Sequence, residues 1–235
     1  MSETIADKLQ TISENVPKVY ESGIEQGQQA EYDKFWDSYQ NYGNLTNYQN
    51  VFGGAGWKDG NFKPKYTPNI KAAALMFRET GIKNIVGLDF SNANDFQYAF
   101  YYSKVEYIDE ISTISASRLY QTFDGCANLK TIGKLILKED GSQTLTGPFN
   151  RCSSLENIGI EGVIGQTINF SASPLTVASM KSIITALKNY AGTTSEYTNR
   201  LTFSSTCWAK LEADSTAPNG ETWEDYVTSL GWEYA

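Results

Sequence analysis

The chain of 235 residues contains no histidine. That excludes Ser-His-Asp and Cys-His nucleophilic arrangements, and every metal site built on imidazole. Cysteine is nearly as scarce. Cys126, Cys152 and Cys207 are the only three, none in a Cys-x-x-Cys pair, so no metal-binding signature is present. No segment approaches the roughly 18–20 apolar residues that span a bilayer, so no membrane insertion is expected. The start, Met1 to Asp7, is polar and lacks a basic stretch followed by an apolar one, so no secretory signal is expected. The glycosylation sequons at Asn44 and Asn169 then carry little weight. Positive charge is also short: 19 Lys and Arg against 27 Asp and Glu leave a net charge of −8. Nucleic acid and anionic membrane are disfavoured as partners, and no cofactor is expected.

What is present is a repeat. A phenylalanine followed by two aliphatic anchors recurs as Phe77, Ile82, Ile85; Phe100, Val105, Ile108; Phe123, Leu129, Ile132; and Phe149, Leu155, Ile158. A fading fifth copy starts at Phe170 and reaches Leu175. The first aliphatic anchor advances in steps of 23, 24, 26 and 20 residues. A period in the twenties marks a solenoid, in which each unit is too small to bury its own apolar face and must stack on its neighbours. Cys126 and Cys152 hold equivalent places three residues after the phenylalanine, where the other copies carry Thr80, Ser103 and Ser173. They read as small buried residues filling the gap between stacked units; a disulfide between adjacent rungs is the alternative.

Each repeat continues into an apolar strand, expected over residues 85–90, 107–111, 131–137 and 158–164 and stacked in parallel, one per rung. The longest repeat carries Asp140-Gly141, a turn signal that predicts the tip of a protruding hairpin. Charge follows the same partition. Residues 1–40 carry −5 and residues 210–235 carry −5, around a middle of +2, which suits solvated ends on a balanced centre.

Four regions follow. Residues 1–40 read as helical: Ile5, Leu9, Ile12, Val16 and Val19 form a coiled-coil seam of about two heptads. Pro17 and Gly23 interrupt it, and a second helix carries Tyr32, Phe35, Trp36 and Tyr39 on one face. The seam is too short to stand alone, so it either lies on the body or serves anchoring and self-association. Residues 41–70, rich in Gly, Asn and Pro, read as a linker, and residues 71–175 as the repeats. Residues 176–235 read as a C-terminal helix-and-strand cap, with Val177, Met180, Ile183, Ile184 and Leu187 at helical spacing. The expected fold class is therefore α+β, a solenoid of stacked parallel strands with a helical segment before it.

For function, acids in the repeats (Asp89, Asp95, Asp109 and Glu110) are the only catalytic resource of note, as a carboxylate pair for glycoside hydrolysis. Solvated loop acids are the simpler reading, and no catalytic residues are expected. Binding is favoured, because solenoids offer extended faces. This one places Tyr98, Tyr101, Tyr102, Tyr107 and Tyr120 in two adjacent repeats. Tyrosine gives broad contact area at low entropic cost and suits protein or carbohydrate partners, although each of the five could instead fill space between rungs.

The pattern Phe-x-x-Cys-x-x-Leu-x-x-Ile, carried by Phe123, Cys126, Leu129 and Ile132 and again by Phe149, Cys152, Leu155 and Ile158, resembles the BspA-like class of leucine-rich repeats. The match covers residues 71–175, and the outer copies are one residue shorter between phenylalanine and anchor. The ending, from Leu175 through Leu201 to Trp232, is similar to that of such proteins from gut Firmicutes and their phages. Residues 12–20 and 30–37 look like the start of leucine-rich-repeat proteins encoded among phage structural genes. The resemblance implies a leucine-rich-repeat solenoid and a non-enzymatic virion component at the tail or baseplate, recognising a bacterial surface glycan or protein. It also implies contacts with other virion proteins through the N-terminal helices and a homo-oligomer, in keeping with threefold tail fibres. A purely structural virion subunit, or an adhesin on a bacterial cell surface, is the alternative.

Overall fold

A computed structural model describes residues 51–54, 61–62, 69–193, 199–214 and 217–235. The seam of Ile5, Leu9, Ile12, Val16 and Val19, the second expected helix and much of the expected linker lie outside them. The strands are β1 (Asn61–Phe62), β2 (Asn84–Ile85), β3 (Tyr107–Ser112), β4 (Arg118–Tyr120), β5 (Thr131–Ile136), β6 (Thr144–Thr146) and β7 (Asn157–Glu161). Then come β8 (Ile168–Asn169), helix α1 (Val177–Thr185), β9 (Asn199–Thr202), helices α2 (Ser205–Asp214) and α3 (Trp223–Ser229), and β10 (Trp232–Tyr234).

The chain coils as a parallel-strand solenoid. One strand per coil enters a five-stranded sheet in the order β1-β2-β3-β5-β7, with every pairing parallel. The repeat spacing fixes the register, so Ile85, Ile108, Ile132 and Ile158 fall in line and are all buried. The neighbouring positions Asn84, Tyr107, Thr131 and Asn157 line up on the other face. The strands are shorter than the apolar runs suggest. β2 stops at Ile85 because Gly87 turns to φ +73° and gives its N–H to the Asp109 carboxylate at 2.8 Å. β7 stops at Glu161 because Gly162 takes φ +89°.

Asp140-Gly141 does not tip a protruding hairpin. β6, just after it, pairs in parallel with β4 of the preceding coil, Arg118 opposite Thr144 and Tyr120 opposite Thr146. A parallel partner cannot be reached through a tight turn, so the turn folds onto the next coil. A Cβ at buried Gly141 would lie 3.0 Å from Val163 and 3.2 Å from the Gly165 backbone. Gln143 secures the loop from inside: its buried amide donates to the Thr113 and Ala116 carbonyls at 2.7 and 3.2 Å.

The recurring phenylalanines form one column. Phe52, Phe77, Phe100, Phe123, Phe149 and Phe170 stack with centroids 4.7–5.3 Å apart and planes within 6–23°. Phe203 continues the column at 6.2 Å. Each pair adds about 0.5–1.5 kcal/mol beyond its buried area. Phe52 and β1 lie in the stretch that composition marks as a linker, so the solenoid begins at least one coil before residue 71. Beside this column Thr80, Ser103, Cys126, Cys152 and Ser173 are all buried. Cys126 and Cys152 donate to the Phe100 and Phe123 carbonyls at 2.9 and 3.1 Å, and neither forms a disulfide.

Among the described residues no further strand joins the main sheet beyond β7. Helix α1 lies along its edge instead, started by Thr176, whose side chain accepts the Ser179 N–H. Ser179 and Ser182 turn their hydroxyls to β7 and accept the N–H groups of Ile158 and Ile160 at 2.9 and 2.8 Å. An edge that would otherwise present open donors is thereby satisfied by side chains. The chain then forms the parallel sheet β10-β9-β8, with Trp208, Trp223 and Trp232 buried against the end of the coil.

Candidate binding surface

The phenylalanine must point inward while the backbone reverses on both sides of it, and this sets the surface geometry. Within each coil, residues three apart close successive turns, as in Tyr101 N–H to Tyr98 carbonyl (3.1 Å) and Ser103 N–H to Phe100 carbonyl (2.9 Å). Two residues before the phenylalanine, Leu75, Tyr98, Gln121 and Gly147 take positive φ. Two residues after it, Gly54, Glu79, Tyr102, Gly125 and Arg151 do the same. Their N–H groups then point along the solenoid axis: Tyr98, Phe100 and Tyr102 donate to Tyr120, Thr122 and Asp124 of the next coil at 2.8–3.0 Å. A side chain other than glycine in this conformation costs roughly 1–2 kcal/mol.

Four of the five tyrosines expected at a binding surface come together here. Tyr98 packs edge-on against Tyr120 and Tyr101, both at 5.2 Å, and Tyr101 packs edge-on against Tyr102 at 4.6 Å. The Tyr120 hydroxyl, hydrogen-bonded to Tyr98, raises the Tyr98 pKa above its ordinary value, so the phenol stays neutral. Tyr102 is the most open of the four, at 41% exposure. Tyr107 is also exposed but belongs to β3 in the main sheet, aligned with Asn84 and Thr131. It is not part of the cluster.

Arg151 closes the cluster from two coils away. Its Nε and Nη2 donate to Asp124 at 2.8 and 2.7 Å, a bidentate pair to a carboxylate that is 1% exposed. Its Nη1 donates to the Tyr102 hydroxyl, and the guanidinium carbon sits 4.8 Å from the centre of that ring. Asp124 chiefly raises the Arg151 pKa, so the charge is permanent. Gly125, in the coil between, makes room: a Cβ there would stand 2.9 Å from three carbons of the Tyr102 ring.

Asp124, Gly125 and Arg151 are neighbours of the cluster that tyrosine content alone does not disclose. The signal lies in aligning the tight copies on their phenylalanines: Asp124 follows Phe123 by one residue and Arg151 follows Phe149 by two. One coil apart, those positions meet.

Elsewhere among the described residues, ion pairs link successive coils. Glu106 pairs with Lys130 at 2.9 Å and with Lys83 at 3.9 Å; Lys134 pairs with Glu110 at 3.3 Å and Glu161 at 3.5 Å. These Lys–Glu alternations run across coils, and Glu110 is the main cause of a raised Lys134 pKa. The repeat acids serve the backbone: Asp89 accepts the Ser91 N–H at 2.8 Å, Asp95 the Gln97 N–H at 3.0 Å, and Asp109 those of Gly87 and Glu110. Among the described residues no group of Cys, Asp and Glu could hold a metal ion. Nor is any helix among them long and apolar enough to cross a membrane.

No family model, curated protein or solved structure matches this chain.

Proposed function

We propose that this chain is a non-enzymatic recognition module that binds a bacterial surface through Tyr98, Tyr101, Tyr102 and Tyr120. The observation that carries this reading is the continuity of the patch: ring contacts link four tyrosines from two coils, and Arg151 from a third locks the last of them. Tyrosine clusters of this kind combine apolar area with hydroxyl groups and lose little entropy on binding. The repeat residues Phe123, Cys126, Leu129 and Ile132, with Phe149, Cys152, Leu155 and Ile158, support assignment to the BspA-like leucine-rich repeats. In that assignment residues 176–235 cap the solenoid, and residues 1–40 anchor it to a phage tail or baseplate and bring copies together.

The test is sedimentation of purified protein with bacterial cells. The double variant Tyr101→Ala, Tyr102→Ala is expected to lose about tenfold or more in affinity while melting as a folded protein. Undiminished binding would remove the patch from consideration. Deleting residues 1–40 should abolish incorporation into particles and leave cell binding intact.

A further inference from the structure

The charge on this patch is already spent. Each nitrogen of the Arg151 guanidinium has a partner: Nε and Nη2 on Asp124, Nη1 on the Tyr102 hydroxyl. The buried Asp124 carboxylate, 1% exposed, offsets the Arg151 charge, so an anionic ligand would meet a neutralised pair and not a free cation. A phosphate or carboxylate group is therefore a poor fit. What the patch offers instead is ring faces, ring edges and phenol hydroxyls, which both donate and accept hydrogen bonds.

Spacing narrows the ligand further. The residues come from the coils of Phe100, Phe123 and Phe149, whose ring centroids are 5.1 and 5.3 Å apart. That rise is about the length of one pyranose unit in an extended β-linked chain. A polymer lying along the solenoid axis would thus meet one coil per sugar. The two positive-φ columns hold glycine at Gly54, Gly125 and Gly147 and keep side chains at Leu75, Glu79, Tyr98, Tyr102, Gln121 and Arg151 despite the steric cost; Tyr98, Tyr102 and Arg151 belong to the patch.

We propose that the patch binds an uncharged, hydroxyl-rich polysaccharide in extended form, its axis along the solenoid and about three sugar units in contact. This rests on the reading of the patch as the recognition surface. Tyr98 and Tyr102, both in the coil of Phe100, flank one sugar, Tyr120 in the next coil meets its neighbour, and the Asp124–Arg151 pair keeps the Tyr102 ring in place.

The experiment is calorimetric titration of the full chain with hexasaccharides of β-1,4-linked glucose, N-acetylglucosamine and mannose, and with heparin as a polyanion. Whole-cell sedimentation runs in parallel. At least one uncharged hexasaccharide is expected to bind, with affinity little changed by added salt. Tyr102→Ala and Tyr98→Ala should each weaken it about tenfold. Tyr102→Phe keeps the ring and should retain most of it, and Tyr107→Ala on the main sheet should leave it unchanged. Thermal melting of each variant separates lost binding from lost fold. Preference for heparin, or steep salt dependence, overturns the proposal. So does failure of all three hexasaccharides to bind while cells bind in a Tyr102-dependent way, which leaves the recognition surface standing. Cell binding that ignores Tyr98 and Tyr102 overturns the recognition surface itself.

Discussion

The ring of Tyr102 lies on the bare Cα of Gly125, where a Cβ would come within 2.9 Å of three ring carbons. Gly125 also holds φ +78°. Gly125→Ala is therefore expected to cost about 1–3 kcal/mol by chemical denaturation and to push Tyr102 off Arg151. Because both substitutions act on one contact, a cycle of Gly125→Ala with Tyr102→Ala should be non-additive. Strict additivity would mean that the ring does not need the glycine.

Removing the hydroxyls that meet the main-sheet edge should be costly for their size. Ser179→Ala and Ser182→Ala leave the Ile158 and Ile160 N–H groups without their acceptors, at about 1–3 kcal/mol each. Hydrogen exchange at those two amides reports directly: faster exchange at Ile158 in the first variant and at Ile160 in the second. Unchanged protection would show that another group accepts them.

Position within the phenylalanine column should matter. Phe123 has stacked neighbours on both sides, Phe100 and Phe149, and Phe123→Ala should cost about 3–5 kcal/mol. Phe203 sits at the tilted end, 6.2 Å from Phe170. Phe203→Ala should cost less, and equal losses in urea unfolding would argue against stacking as the source.

The thiols supply a pH dependence with a definite sign. Burial pushes Cys126 up to about 12 from an ordinary 9.0, and pushes Cys152 up as well. In the unfolded chain each ionises near its ordinary value, so above that pH the unfolded state binds fewer protons than the folded one. The stability contributed is fully present below about pH 9. For Cys126 it is lost as pH rises toward 12, at up to about 1.4 kcal/mol per pH unit, and Cys152 contributes in the same direction. Cys126→Ser keeps a small donor and should flatten the alkaline slope. A chromogenic disulfide reagent at pH 8 should leave both thiols untouched until urea unfolds the protein.

Much of the architecture was readable from spacing. Ile82, Val105, Leu129, Leu155 and Leu175, picked by period, are all buried. Cys126 and Cys152 pack with Thr80, Ser103 and Ser173 as their shared repeat position suggests. Such features survive in one dimension because stacking forces equivalent residues into equivalent surroundings, coil after coil. The coil of Phe52 was hidden by a composition of glycine and asparagine that resembles a linker.

The candidate surface was only half readable. Five tyrosines stood out, and nothing in their spacing separated Tyr107 from the others. The separation arises because Tyr107 enters a strand, whereas Tyr98 and Tyr102 sit at positive φ on a turn. Likewise Asp140-Gly141 reads locally as a hairpin tip, but the partner of β6 is a strand one full coil earlier.

Residue order alone therefore established the solenoid, its inward column and the absence of imidazole chemistry, all properties of period and composition. The meeting of Tyr102, Gly125, Asp124 and Arg151 was settled by the folded chain. Those four come from three coils, and they touch because hydrogen bonds between coils set the axial rise and positive φ sets where each side chain emerges.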